Sequence, residues 1–372
     1  EVVERRGWIT DAQFLRLLGF ANILPGPEAL ELAIHIGYLR RGSAGAVVAG
    51  LLFILPGFVS LTALAWLYAT YGQLPVVAAV LDGVRPIAVA LIAAAVLRLS
   101  GKSLSGWPAY GIAAVAFIAS VAGLPFMVIL LLAGMAGLAL GARLRGKAQQ
   151  PRQLPAAATK AARLRGAILI ALLAAPLMWG VARPHAVVTA PARGTTAHAS
   201  LTDIALCNSK TALMTFGGAY TALPYMREEF VERQRWLSDA DMMTALALGE
   251  TTPGPLITVG VFLSYLAAGF AGAGVGCVFL FLPSFILVIG LGRYLHKIER
   301  VRGARDVVGG VSAATIGLIV ALAADVTPQG IHDLFGLVIA TTALVAVTRF
   351  KTSAVLLVTA GALSGIVRSL VI

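Results

Sequence analysis

Charge is what this sequence has least of. Asp, Glu, Lys and Arg make up only 12% of its 372 residues, against 59% hydrophobic residues, where soluble globular chains carry about a quarter charged residues. That deficit excludes an ordinary soluble domain. Apolar windows long enough to cross a hydrocarbon core of about 30 Å recur along the whole chain, and backbone groups in such a core must be satisfied internally, so the expected fold class is an all-α polytopic membrane protein. Cysteine is nearly absent. Cys207 and Cys277 stand in separate apolar stretches without CxxC spacing, which argues against a disulfide framework or a thiolate metal site and leaves them as small packing residues. No Walker motif, HExxH or GxSxG occurs, so neither ATP coupling within this chain nor the common hydrolytic chemistries are expected, and no cofactor or metal is called for. The chain starts at Glu1 in EVVERRGW, without an initiator Met or a signal peptide.

What charge there is runs basic. The formal net charge is +12, but the Lys and Arg residues sit in short loops between apolar stretches, where they fix orientation in the membrane and do not build a nucleic-acid surface.

Two prolines and a glycine interrupt one apolar stretch at NILPGPEALELAI, from Asn22 to Ile34, and ETTPGPLITVGVF repeats the interruption from Glu250 to Phe262. The duplication extends further. VERRGWITDAQ (Val3 to Gln13) aligns with VERQRWLSDAD (Val231 to Asp241) at an offset of 228, which also carries Pro25, Gly26 and Pro27 onto Pro253, Gly254 and Pro255. After a one-residue slip, Tyr38 pairs with Tyr265, Gly45 with Gly272, Pro56 with Pro283, and Gly83-Val84 with Gly310-Val311. Three parts follow: a first repeat over 1–140, a basic linker with a connecting span over 141–200, and a second repeat over 201–372. The second repeat holds an extra segment, Leu201 to Phe230, whose counterpart is expected upstream of residue 1. Gly141 to Gly166 carries seven Arg or Lys and no acid, which places it on the cytoplasmic side. The other basic loops, Arg40-Arg41, Arg98 to Lys102 and Arg293 to Arg305, then predict an inverted-topology repeat, the usual architecture of secondary transporters. This holds if each Pro-Gly-Pro segment crosses once and residues 167–181 form one span, giving about twelve crossings.

Pro-Gly-Pro cannot continue a helix smoothly, so each segment is expected to be two half-helices meeting near mid-membrane. Thr10 to Gln13 and Ser238 to Asp241 mark the starts of the first halves as N-caps, the first a full capping box. The second halves begin just past the breaks, and their free amides, near residues 27–31 and 255–259, would form an oxyanion cradle. The plainer alternative is a proline kink without a ligand.

An ionised side chain at mid-bilayer costs at least about 2.5 kcal/mol on insertion scales and is kept for a partner or a pathway. Lys210, in CNSKTALMTFGG, is the first candidate for an anion contact. Arg85, three residues after Asp82, is the second, against the simpler reading of an internal Asp82–Arg85 pair. Asn22, Pro25, Gly26 and Pro27 of the first break, and Glu250, Thr251, Thr252, Pro253, Gly254 and Pro255 of the second, complete the candidate substrate site. Gly217 and Gly218 in FGGAY join it as points of close backbone approach. Glu28, Glu31, His35 and Asp82 are candidates for proton coupling or gating, His35 lying at i+4 from Glu31. For these, capping and structural hydrogen bonding are the alternatives.

The FGG helix, the VER…W stretch and the paired PGP, taken together, resemble the chromate ion transporter family nearly end to end. That resemblance implies a bacterial inner-membrane carrier of two homologous halves, exporting chromate and recognising sulfate, which has the same tetrahedral dianion shape. The expected partners are the oxyanion, the lipid bilayer, a coupling proton or counter-anion and a second copy in a homodimer. An anion channel, or a carrier of sulfate or another anion using the same site, is the alternative.

Overall fold

In the computed structural model, the described residues are 8–21, 24–104, 107–144, 199–216, 218–291 and 302–371. Twelve α-helices and no strand occur among them. In the first copy they are α1 (Asp11–Ala21), α2 (Glu28–Tyr71), α3 (Pro75–Ser103), α4 (Trp107–Val121) and α5 (Phe126–Leu144). In the second they are α6 (Leu201–Met214), α7 (Leu223–Arg227), α8 (Asp239–Gly249), α9 (Val259–Leu291), α10 (Arg302–Gly330), α11 (Leu334–Arg349) and α12 (Ala354–Val371). Five of the helical stretches are long and apolar enough to cross a membrane, and three shorter apolar ones accompany them. Residues 145–198, which hold most of the basic linker and the connecting span, lie outside the described residues, as do Asn22 and Gly217.

The sequence repeat reappears in the helices themselves. α4 and α11 begin at Trp107 and Leu334, and α3 and α10 at Pro75 and Arg302, 227 residues apart in both cases. Both α2 and α9 are interrupted by the same pair of dihedrals, at Arg41 (φ −145, ψ 27) with Gly42 (φ 60, ψ −150) and at Ala268 (φ −149, ψ 25) with Gly269 (φ 64, ψ −154). The positive φ explains the glycine at each second position. Packing is crosswise: α3 meets α12 as α10 meets α5, α3 meets α11 as α10 meets α4, and α2 lies against α9. Small residues allow the close approaches. A Cβ on Gly83 would run into the Gly361 carbonyl, and one on the matching Gly310 would run into that of Ala133.

Each interruption turns the chain back on itself. Trp8, just ahead of α1, has the Arg40 guanidinium 5.4 Å over its ring, and Phe20 at the end of α1 meets His35 edge-on with ring centroids 5.0 Å apart. Residues 28–40 therefore return alongside α1. At Arg41-Gly42 the chain reverses again, so that Gly37 and Gly45 stand in mutual contact and Ile34 lies beside Gly50. The stretch over 28–71 is thus a short arm of 13 residues, about 20 Å long, and a long helix over 43–71. In the second copy Asp241 of α8 and Phe262 of α9 both meet Tyr68, the first by a 2.7 Å hydrogen bond and the second ring to ring at 5.8 Å. The short arms on either side of the break pack on one another, so the chain reverses there where the sequence predicts a straight passage.

Both expected N-caps form as capping boxes. The Thr10 amide donates to Gln13 Oε1 at 2.9 Å while the Gln13 amide donates to Thr10 Oγ1 at 3.2 Å. The Ser238 amide donates to Asp241 Oδ2 at 2.9 Å and the Asp241 amide to Ser238 Oγ at 3.2 Å.

Candidate functional site

Both interruptions rest on the middle of a long helix from the other copy. Pro25, Gly26 and Pro27 are buried between α1 and α2, with Gly26 at φ +147, a conformation that favours glycine. A Cβ at Gly26 would collide with Ser284 Oγ, one residue past Pro283 in α9, and with Glu31 Oε1. The Gly26 amide donates to the Thr215 carbonyl at 2.8 Å, which ties this interruption to the end of α6. The other end of α6 is held by the Ala199 amide donating to the Ala267 carbonyl at 3.2 Å, beside the bend in α9.

The second interruption mirrors this. A Cβ at Gly57, one residue past Pro56 in α2, would stand 2.9 Å from the Pro253 carbonyl, and one at Gly254 would stand 3.4 Å from Gly57 Cα. Gly254 has φ +121. Gly50 of α2 meets Phe285, the neighbour of Ser284. Gly50 and Gly57 lie seven residues apart on one helix, so the two interruptions are separated by on the order of 10 Å.

The helix ends that follow are chemically unlike. Neither Pro27 nor Pro255 offers a side-chain cap, and their carbonyls accept from the Leu30 and Thr258 amides, each at 2.9 Å. Beyond Pro27 come Glu28 and Glu31, both in the first turn, where the helix dipole favours negative charge. Glu31 is fully buried and lies against Gly26. Beyond Pro255 the first turn holds no acid, and Pro253 and Gly254 are exposed.

The remaining candidates divide. Glu250 accepts a short hydrogen bond from the Tyr220 hydroxyl, and Arg98 of α3 is close enough to act on both groups. Thr251 and Thr252 turn their hydroxyls inward to the Leu248 and Gly249 carbonyls, at 2.7 and 2.9 Å, closing α8. Lys210 Nζ stands 4.0 Å from Glu229 Oε1, which also accepts from Arg233 at 2.8 Å and from the Tyr225 hydroxyl at 3.0 Å. Arg85 pairs with Asp82 at 3.6 Å, the simpler of the two readings, while its Nε is buried without a hydrogen-bond partner among the described residues. Gly218, at φ +121, opens the turn after α6, its carbonyl accepting from Thr221 Oγ1 at 2.6 Å.

Sequence reasoning missed Tyr220, Glu229, Arg98 and Thr215, and it missed the junction at Arg227. That guanidinium holds Asp239 at 2.7 Å, Asp325 at 3.0 Å and Glu232, joining the segment after α7 to α8 and α10. Nearby, Glu228 Oε2 accepts from the Phe126 amide at 2.7 Å and so caps α5. Glu229 has Arg233 and Tyr225 at four residues and Arg227 has Glu232 at five, but the other partners lie twelve or more residues apart, so no local pattern announces them.

These features define a helical membrane protein built from two related copies, with paired Pro-Gly-Pro interruptions at its centre. The chain belongs to the chromate transporter family, whose profile matches residues 1–138 and 202–366. It is 34% identical over 330 residues to the chromate transport protein of Pseudomonas aeruginosa, covering 87% of this chain and 74% of that one. It is 27% identical over 373 residues to the chromate transport protein of Cupriavidus metallidurans, covering 97% and 84%. It is also 24% identical over 327 residues to an uncharacterized transporter of Methanocaldococcus jannaschii, covering 86% and 76%. No solved structure matches the chain.

Proposed function

We propose that this protein is a secondary transporter that exports chromate, and related tetrahedral oxyanions such as sulfate, across a bacterial inner membrane by alternating access. One observation carries the reading: two helix ends, drawn from two copies of one sequence, are each seated on the middle of the other copy's long helix within about 10 Å of one another. The family membership supports the substrate class.

The anion sits at the second interruption. Its helix end offers the amides of Gly254, Leu256 and Ile257, carries no acid in its first turn and is reached through exposed Pro253 and Gly254. Lys210 and Arg98 supply positive charge from α6 and α3. Thr251 and Thr252 shape the turn through their helix-closing hydroxyls. Arg85 acts from farther off, with its charge shared by Asp82.

The two copies are inverted in the membrane. The crosswise packing supports this, and so does the charge pattern of the sequence, whose basic loops are spaced as an inverted repeat requires. Rocking of one copy against the other about α2 and α9 would expose the site alternately. A dianion leaving a negative interior gains roughly 4 to 5 kcal/mol per 100 mV, so no nucleotide is required.

The test is chromate flux into liposomes holding the purified chain. Saturable flux, competed by sulfate and accelerated by anion on the far side, is the expected result. Flux without such acceleration identifies a channel, and absence of both flux and competition in folded protein removes the substrate class.

A further inference from the structure

The first interruption carries groups that the second lacks. Glu28, Glu31 and His35 stand between Pro27 and Gly37, whereas the matching stretch Leu256 to Ser264 contains no acid and no histidine. The hairpin therefore forms without them. Glu31 is 0% exposed and His35 1% exposed, and among the described residues no well-formed hydrogen bond reaches either carboxylate oxygen, either imidazole nitrogen or the Ser284 hydroxyl, although the Ser284 hydroxyl stands close enough to act on Glu31 and the Glu31 backbone close enough to act on His35. Five buried polar atoms at one place without a well-formed hydrogen bond among the described residues are far from ordinary, since buried polar groups are paired almost without exception.

The surroundings narrow what could occupy the place. Ser284 comes from α9, the Gly26 backbone from the interruption, and the Phe20 ring from α1 stands edge-on to His35. From α6 comes the Thr215 carbonyl, already taken by the Gly26 amide. The charge that bears on Glu31 is that of Glu28, on its own helix. An anion would meet a carboxylate here. A proton satisfies the acid, removes its charge and lets its hydroxyl bond Ser284.

We propose that Glu31, backed by Ser284, is the proton-binding site through which oxyanion movement is coupled to proton movement. The proposal rests on the transport reading above and adds its coupling ion. The two copies divide the work: the first interruption takes the proton and the second the anion. The link between them is electrostatic and mechanical. A dianion on the order of 10 Å away favours the neutral over the ionised carboxyl roughly a hundredfold at an effective dielectric near 20. Ser284 also lies on the long arm of α9, joined through the bend at Ala268-Gly269 to the short arm that follows the anion-binding turn.

The experiment adds chromate to the purified full chain in weakly buffered, slightly alkaline detergent solution, where chromate is fully ionised. Proton uptake is followed with an indicator and the carboxyl C=O band by difference infrared spectroscopy. The wild type is expected to take up protons as it binds chromate and to show a new carboxylic acid band, which Ser284→Ala shifts by removing its hydrogen bond. Glu31→Gln is expected to lose both signals and to bind chromate with an affinity that no longer changes with pH. Chromate binding by the wild type without uptake or band overturns this proposal alone, as does retention of both signals in Glu31→Gln. The Ser284→Ala band keeps the test decisive if Glu31→Gln fails to fold, since an unshifted band contradicts the assignment. Failure of folded wild type to bind chromate at all overturns the transport reading and this proposal with it.

Discussion

Gly57 and Pro253 lie 196 positions apart in sequence, yet the Pro253 carbonyl stands 2.9 Å from the place a Gly57 Cβ would take. The contact seats the second Pro-Gly-Pro on α2, and the obstacle is backbone, which cannot rotate away. Gly57→Val is expected to push the interruption off its helix, lowering stability by about 1 to 3 kcal/mol and abolishing flux. Thermal unfolding in detergent and liposome flux check this together. Unaltered flux would show that the seat is not needed.

Gly361 and Gly365 present a small-xxx-small face to α3, where Gly83 approaches so closely that a side chain at either partner would meet carbonyl oxygen. Gly361→Leu is expected to separate α3 from α12 and leave little folded, monodisperse protein on size-exclusion chromatography. The equivalent face of α5, at Ala133 and Gly137 against Gly310, should respond alike to Gly137→Leu.

Much of this plan is legible in the sequence because it rests on local rules. The Pro-Gly-Pro segments, the two capping boxes and the 227-residue offset are all written in adjacent residues, and the Asp82–Arg85 pair needs only i, i+3 spacing. Whether an interrupted helix crosses or turns back is not local. It depends on Trp8 finding Arg40 and Phe20 finding His35 across the break, which a hydropathy trace cannot distinguish from a straight passage. The partner of Lys210 was hidden for the same reason: Glu229 lies 19 residues on, and only the turn after α6 brings it near. Thr251 and Thr252 look like ligand hydroxyls in sequence, yet their helix-closing bonds are equally good uses for them.

Lys210 separates a structural role from a binding one. Glu229 keeps Arg233 and Tyr225 when the lysine is removed, so Lys210→Ala is expected to fold with little change in Tm. Oxyanion affinity is expected to fall about tenfold or more, the worth of a hydrogen bond to a charged group. Equilibrium binding of chromate checks this, and unchanged affinity ends the assignment.

Asp333 sets a pH signature outside the spans. It caps α11 through the Gly336 amide at 2.8 Å and pairs with Arg368 at 2.6 Å. The hydrogen bond from Gly336 and the nearby guanidinium hold its carboxyl below the usual carboxylate range. A depressed folded value means stabilisation that is present above the ordinary aspartate range and lost as the pH falls through the lowered value. Asp333→Asn should therefore lower Tm at neutral pH, with the gap to wild type closing in acid. A gap independent of pH would contradict the assigned cause.

The most direct measurement is a structure of the full chain in lipid with chromate, or heavier molybdate, bound. Density for one tetrahedral anion against the amides of Gly254, Leu256 and Ile257, within reach of Lys210 or Arg98, is the predicted result. An anion bound elsewhere, with the second interruption empty at saturating concentration, would contradict it.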